Sequence, residues 1–364
     1  MKLKIAKDAL LEGLQKVQPV VSTRTTLPVL QNILFKADKE KLWLSATDLD
    51  LSVRAGVAAE VSKAGATTLP ARRCAGIFKE LPAGDIEIEA DDKDQTAIRS
   101  GSAFFKIIGI SEEEFPPLPK FDGGRTYTLD QRVFRDMLLN VGYAASSDES
   151  RLTLNGVLLS FKGDKLSVVA TDGRRMALYE QEVEFPKDAE ADLIVPAKTV
   201  AELSRTLGAE GSLKIHAVNK QAAFEFNDLL VVSKLMEGNY PNFRQVIPAQ
   251  SEERVKIERE ALMTVVRRVA LIASEGSNSV RLTFSKNKLE VSATSPEVGE
   301  ARETLAISYA GKQISVAFNP EFMLDPLKNL VCDEIYLELT DDMSPGVLKC
   351  DLPFLYVLMP IRLS

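Results

Sequence analysis

A chain of 364 residues, 45% hydrophobic and 27% charged, has the length for two to four domains and the composition of an ordinary globular protein. No apolar run approaches the roughly 18 residues that a membrane span needs. Its 45 basic against 52 acidic residues give a net charge of −7, which excludes nucleic-acid binding by bulk attraction and requires any DNA-facing positive charge to be concentrated on one surface.

The N-terminus, Met1-Lys2-Leu3-Lys4-Ile5, alternates like a strand and lacks the continuous apolar core of a signal peptide. Leu10, Leu14, Val17 and Val21 follow at helical spacing. A hairpin comes next, two alternating strands around the turn "KADKEK" (36–41), and its second strand ends in "KLWLSATDLDL" (41–51). Pro70 opens a second helix, "TLPARRCAGIFKEL", before the strands "DIEIEA", "TAIRS" and "AFFKIIGI". The proline-rich stretch "SEEEFPPLPKFDGGR" (111–125) closes this section, its paired glycines reading as a hinge.

The order then repeats. Phe134, Leu138, Val141 and Ala145 mark a helix, "KGDK" (162–165) a hairpin turn, and Pro196 a second helix. Strands "SLKIHAV", "AAFEFND" and "LLVVSKL" lead to the junction "EGNYPNFRQVIPAQSEE" (237–253). A third pass runs through Leu262, Val266, Val269 and Ala273, the turn "SKNK" (285–288), and Pro320, to the strands "EIYLELT", "GVLKCDL" and "FLYVLMP". Pro326 lies inside the last helix and is expected to shorten or bend it. The Ala-Thr pairs of the hairpins begin at 46, 170 and 293, spacings of 124 and 123. The period is that of a whole domain, so the expectation is an α+β chain of three tandem, structurally similar domains, each with two helices and antiparallel sheets. The boundaries fall at 1–123, 124–249 and 250–364.

The repeat bears on chemistry. Asp48 and Asp172 occupy the same turn, and Ser295 stands there in the third copy, so the carboxylates read as turn devices rather than as a general acid or base. The single histidine, His216, sits in an alternating strand and reads as structural; one histidine excludes a multi-histidine metal site. Cys74, Cys332 and Cys350 have no metal-ligand spacing and read as reduced thiols of a cytoplasmic protein. No Gly-rich phosphate loop or nucleophile elbow is present, and no cofactor or metal is expected. Basic residues expected opposite the apolar stripes of the helices are Arg72, Arg73 and Lys79, Arg132 and Arg135, Lys198 and Arg205, and Arg267 and Arg268.

The stretches "TLPVLQNIL" (26–34), "ATDLDLSV" (46–53), "LNGVLLS" (154–160), "ATDGRRMAL" (170–178), "YPNFRQVIP" (240–248) and "YVLMPIRL" (356–363) resemble, in order and along the whole chain, those of the bacterial beta sliding clamps. The resemblance implies the DNA clamp fold: a head-to-tail homodimer closing a ring, with helices lining the hole around duplex DNA. It implies a non-enzymatic processivity factor of the replicative polymerase, binding DNA without sequence specificity. Arg24, Arg73 and Lys198 match the family's DNA-facing positions. A hydrophobic pocket for short partner peptides is implied at Leu154, Thr171, Gly173, Arg174, Arg175, Met176, Pro241, Val246, Val357, Met359, Pro360, Ile361 and Arg362, with Met343 and Pro345 on its margin. The implied partners are double-stranded DNA, a second copy of the chain, a clamp loader, and DNA polymerases and repair proteins carrying clamp-binding peptides, with no membrane. Phe105 and Ile107 on one side and Leu271 and Ile272 on the other match the dimer interface. The chain departs from the family at Arg174, where histidine is common, at Gln245, where a second arginine is common, and at Ser364, one residue past the usual terminal leucine. Two other readings of the residues are a peptide-binding scaffold with no DNA inside and an enzyme using Asp172 with Arg174 or Arg175.

Overall fold

A computed structural model of the chain describes residues 1–22, 25–119, 121, 124–273 and 278–362. Three passes of one element order are laid along it. The first contains β1 (Lys2–Ala6), α1 (Lys7–Val17), β2 (Asn32–Asp38), β3 (Lys41–Thr47), β4 (Leu51–Ala58), β5 (Glu60–Lys63), β6 (Gly65–Pro70), α2 (Ala71–Glu80), β7 (Asp85–Ala90), β8 (Gln95–Ser100) and β9 (Ala103–Ile108). The second contains β10 (Arg125–Asp130), α3 (Gln131–Val141), β11 (Gly156–Lys162), β12 (Lys165–Thr171), β13 (Arg175–Glu182), β14 (Ala191–Pro196), α4 (Ala197–Thr206), β15 (Ser212–Val218), β16 (Gln221–Phe226) and β17 (Leu229–Lys234). The third contains β18 (Glu253–Glu258), α5 (Arg259–Val269), β19 (Val280–Ser285), β20 (Lys288–Ser295), β21 (Gly299–Ala306), β22 (Ile314–Phe318), α6 (Pro320–Asn329), β23 (Glu334–Leu339), β24 (Gly346–Lys349) and β25 (Phe354–Leu358). The α+β repeat read from the sequence is present, with β5 an addition in the first pass.

The strands form four antiparallel sheets, ordered β5-β1-β7-β8-β9, β10-β15-β16-β17-β4-β3-β2-β6, β14-β11-β12-β13-β25-β24-β23-β18 and β21-β20-β19-β22. Each eight-stranded sheet takes four strands from each of two consecutive passes, joined by main-chain pairing of β17 with β4 in one and β13 with β25 in the other. By compactness the chain divides into a unit of Met1–Arg132 with Arg205–Leu235 and a unit of Val133–Ser204 with Met236–Ser364.

Each helix buries one stripe. On α1 the buried residues are Leu10, Gly13, Leu14 and Val17; on α2 they are Ala71, Cys74 and Phe78; on α5 they include Leu262, Val266 and Val269. The fourth position of each apolar stripe, Val21, Ala145 or Ala273, lies beyond its helix, because a short 3-10 turn follows at Gln18–Val20, Gly142–Ala144 or Ala270–Ile272. Pro19 supplies the reason in the first pass: it has no N–H to continue the helical hydrogen-bond ladder. Two prolines expected inside helix starts instead end strands: Pro70 closes β6 opposite Asn32, and Pro196 closes β14 opposite Gly156. Pro320 does occupy the first turn of α6, where Asn319 caps the N–H groups of Glu321 and Phe322 at 2.8 and 3.3 Å.

Pro326 does not shorten α6, which has the same 10 residues as α2 and α4. The carbonyl that it leaves without an N–H partner, that of Phe322, accepts the Tyr356 hydroxyl at 2.8 Å. His216 is structural as expected: Thr126 Oγ1 lies 3.2 Å from its Nδ1 and Glu225 3.4 Å from its Nε2. Among the described residues, no group of three or more His, Cys, Asp or Glu could hold a metal ion, and no helix is long and apolar enough to cross a membrane.

Gly13 fixes how closely α1 approaches β3 and β4. A Cβ there would lie 2.4 Å from Val57 Cγ2 and 2.9 Å from Leu44 Cδ1. Gly13→Ala is therefore expected to destabilise the first unit by about 1–3 kcal/mol despite alanine's better helix propensity; denaturant unfolding of the variant against the parent measures it, and a gain in stability would contradict this packing.

Candidate functional site

The loop between β12 and β13 is a self-contained turn. Asp172 Oδ1 accepts the N–H groups of Arg174 at 2.9 Å and Arg175 at 3.0 Å. Thr171 Oγ1 accepts from Gly173 N at 3.1 Å and donates to the Arg175 carbonyl at 2.6 Å. The first pass repeats the device: Asp48 Oδ1 accepts from Asp50 N and Leu51 N, and Thr47 Oγ1 accepts from Leu49 N and donates to the Leu51 carbonyl. The third retains a weaker form, Ser295 Oγ accepting from Glu297 N at 3.4 Å. The turn needs a left-handed residue, and Gly173 supplies it at φ 87°; Leu49 holds φ 78° at the equivalent place, at a steric cost glycine avoids. The geometry bears out the reading of Asp48 and Asp172 as turn devices.

Arg175 ties this turn to the body of its unit. Its Nε meets Asp172 Oδ2 at 3.0 Å, one terminal nitrogen bonds Asp325 on α6, and the other donates to the Tyr143 carbonyl at 2.8 Å. The guanidinium also stacks 4.3 Å from the Phe322 ring centroid. Burial works against its charge, but the adjacent Tyr356 and Asp325 hold its pKa above the ordinary arginine value. Burial likewise pushes the Tyr143, Tyr240 and Tyr356 hydroxyls above their ordinary value. With its side chain only 10% exposed, Arg175 supports the site from beneath.

Beside the turn lies an apolar face. Met176 pairs with Val357 across β13 and β25, and both belong to a buried cluster with Leu158, Val169, Leu178 and Ile194. Met236, Tyr240, Phe243, Ile247 and Leu355 pack onto it half-buried. Pro241, Val246, Met343, Met359 and Ile361 are exposed, and Leu154, Thr171, Pro345 and Pro360 are half-buried. Gly173, Arg174 and Arg362 are exposed. The chain beyond β25 stays anchored, Met359 N donating to the Arg174 carbonyl at 3.0 Å and Ile361 N to the Ala317 carbonyl at 2.8 Å. Tyr240, Phe243, Ile247, Asp325 and Phe322 are contributors that sequence reasoning missed. The apolar residues inside the polar junction 237–253 were the available signal for the first three; Asp325 and Phe322 gave none, because α6 meets the turn only in three dimensions.

The basic residues lie where the stripes put them. Arg72, Arg73 and Lys79 on α2, Arg132 on α3, and Lys198 and Arg205 on α4 are exposed. Among the described residues no ion pair involves Arg72, Arg73, Lys79 or Arg267. Arg135 is half-buried, its Nε 3.4 Å from the Ser204 carbonyl, and Arg268 is engaged by Glu303. Arg24 lies outside the described residues, as do Asp122 and Gly123 of the expected hinge, and Ser364. Edge strand β9 exposes Phe104 (58%), Phe105 (38%) and Ile108 (74%), while Ile107 is half-buried. Leu271 is 80% exposed and Ile272 half-buried, just past α5.

Three tandem α+β passes, sheets shared between consecutive passes and an apolar face beside the β12–β13 turn define a repeat protein of the clamp class. Comparisons agree. Residues 1–119, 128–242 and 244–362 match the N-terminal, central and C-terminal domains of the DNA polymerase III beta subunit. The beta sliding clamp of Chlamydia muridarum is 35% identical over 100% of this chain and 99% of its own, and that of Escherichia coli 31% identical over 100% of each. The sliding clamp of Pseudomonas aeruginosa, solved bound to griselimycin, superposes with a TM-score of 0.96 at 30% identity over 100% of both chains. The chain belongs to the beta sliding clamp family, the beta subunits of DNA polymerase III, which act in DNA replication.

The Arg175 contacts make Asp325→Asn a test of the turn. The variant is expected to lose about 1–3 kcal/mol and to speed hydrogen exchange at the Arg174 and Arg175 amides. Unchanged exchange at both amides would contradict the role given to Asp325.

Proposed function

We propose that two copies of the chain close head to tail into a ring around duplex DNA and hold DNA polymerases, repair proteins and the clamp loader by short peptides seated on the Met176–Val357 face. The observation that carries the reading is a pairing rule. The last strand of the second pass, β17, pairs with β4, and the last strand of the third, β25, pairs with β13; β4 and β13 occupy equivalent places in the first and second passes. By the same rule β9 should pair with β21. No such pair exists among the described residues of one chain, so a second copy is needed to supply it, twice per dimer.

The rule also gives a register. Ser233 faces Leu51 and Val231 faces Val53 at one junction; Leu358 faces Arg175 and Tyr356 faces Ala177 at the other. Transferred through the equivalent hairpins, it sets Ile107 against Gly299, Phe105 against Ala301 and Lys106 against Glu300. The last of these joins opposite charges. An exposed apolar edge such as β9 invites aggregation unless it is covered. Leu271 and Ile272, just past α5, are proposed to cover the same junction. The clamp domains are proposed at 1–123, 124–249 and 250–364.

Arg24, Arg72, Arg73, Lys79, Arg132, Arg135, Lys198 and Arg205 are proposed to face the duplex. Contacts of such side chains to phosphate are insensitive to base sequence and weaken with salt. Closure around DNA, rather than affinity, would then retain a chain whose net charge is −7. On the docking face, Met343, Met359, Val246 and Ile361 offer exposed apolar side chains around a buried floor. Adaptable thioethers suit a surface that accepts several partners.

The protein loaded on a nicked circle is expected to stay bound through a high-salt wash and to leave when the circle is cut; retention on the linear product, or loss from the intact circle, contradicts encirclement. Removal of residues 359–364 is expected to abolish polymerase binding while the dimer mass persists, and unchanged polymerase affinity would remove the docking face from the account.

A further inference from the structure

We infer that Met343 and Met359 form a reversible modification site, oxidised by a peroxide to methionine sulfoxide, and that the modification releases partners from the face the two residues border. The second half rests on the docking reading above; the first does not. The chain has 8 methionines, all among the described residues. Met1, Met137, Met176, Met263 and Met323 are buried, and Met236 is half-buried against the Met176–Val357 floor. Only Met343 and Met359 are exposed, at 50% and 44%.

The fold brings the two to one place. Gly346 faces Leu358 at one end of the β24–β25 ladder; Met343 stands three residues before the former and Met359 directly after the latter. Leu358 also faces Arg175 on β13, so this end of the ladder adjoins the Asp172 turn. Both backbones are fixed. Asp341 Oδ1 accepts the N–H groups of Met343 at 2.8 Å and Ser344 at 2.6 Å, and Met359 N donates to the Arg174 carbonyl at 3.0 Å. An oxidant therefore reaches both thioethers with no opening of the fold, while Met176, 2% exposed in the floor, is shielded.

The chemistry balances with hydrogen peroxide. A thioether lone pair attacks one peroxide oxygen, the O–O bond breaks, an S–O bond forms and water leaves; the sulfur is oxidised and the peroxide reduced by the same electron pair. No ionisation precedes the attack, so the rate does not follow pH as that of a thiol does. The sulfoxide is polar, and an apolar partner side chain seated against it would strip its water without replacing the hydrogen bond. Methionine sulfoxide reductases, one for each epimer, remove the oxygen as water while a dithiol becomes a disulfide.

The test treats the full chain with hydrogen peroxide and then with dithiothreitol, which restores disulfides and sulfenic acids to thiols and leaves sulfoxides in place. Peptide mapping should find the first oxygen atoms on Met343 and Met359, with Met236 slower and the buried methionines reacting only in denaturant. Affinity for the polymerase subunit of DNA polymerase III, measured by titration, should fall about tenfold or more. The melting temperature and solution mass should not change, and sulfoxide reductases supplied with dithiothreitol should restore the affinity. In Met343→Leu combined with Met359→Leu, peroxide should leave the variant's own affinity where it began. Oxygen on any other methionine ahead of this pair would overturn the modification site. An oxidised parent that binds as tightly as the untreated one, or an equal loss in the leucine variant, would overturn its coupling to docking. Should the untreated parent not bind the polymerase at all, the docking reading fails and the coupling with it, while the mapping still decides the modification site.

Discussion

Main-chain pairing between strands of successive passes is the constraint on which the rest of this structure depends. Neither eight-stranded sheet belongs to one repeat; each is completed by a ladder joining β17 to β4 or β13 to β25. Backbone N–H and C=O groups buried at such a seam must find partners, and a ladder satisfies them in bulk. The same demand applies to the edges left over. A strand such as β9 leaves three apolar side chains exposed along a sheet edge, the kind of edge that proteins cover or guard.

The β13–β25 seam also builds the apolar face beside the turn. Pairing Met176 with Val357 brings the hairpin of the second pass and the end of the third onto one floor. The turn beside it keeps its shape through Asp172 and through Arg175, which reaches Asp325 on α6 and the Tyr143 carbonyl. A partly buried guanidinium with two carboxylates and an aromatic face is held by geometry as much as by charge. Tyr356 links the same elements by donating to the Phe322 carbonyl that Pro326 leaves free. Site and fold therefore rest on one set of contacts.

The repeat was legible because its signals are local: the Lys-Leu-x-apolar-x-Ala-Thr strands, the helical stripes and the Asp turns depend on neighbours a few residues away. Asp172 could be read as a turn residue because Asp48 and Ser295 stand at the same place. Helix ends were less legible, since the apolar spacing continues through Val21, Ala145 and Ala273 while the backbone tightens into 3-10 turns. The consequence of Pro326 was hidden because its remedy comes from Tyr356, far along the chain. Arg175 read as a pocket residue, but its support role required knowing that α6 lies beneath the turn. Arg268 read as a free helix charge, yet Glu303 on β21 engages it.

The inter-copy ladder is the central claim, and its register is the most direct test. In a chain with its three native cysteines replaced by serine, Phe105→Cys combined with Ala301→Cys should cross-link two copies through a short bis-thiol reagent at both junctions. Phe105→Cys combined with Leu305→Cys, displaced along the same strand, should react far less. Equal yields from the two pairs, or a product confined to single chains, would contradict pairing of β9 with β21.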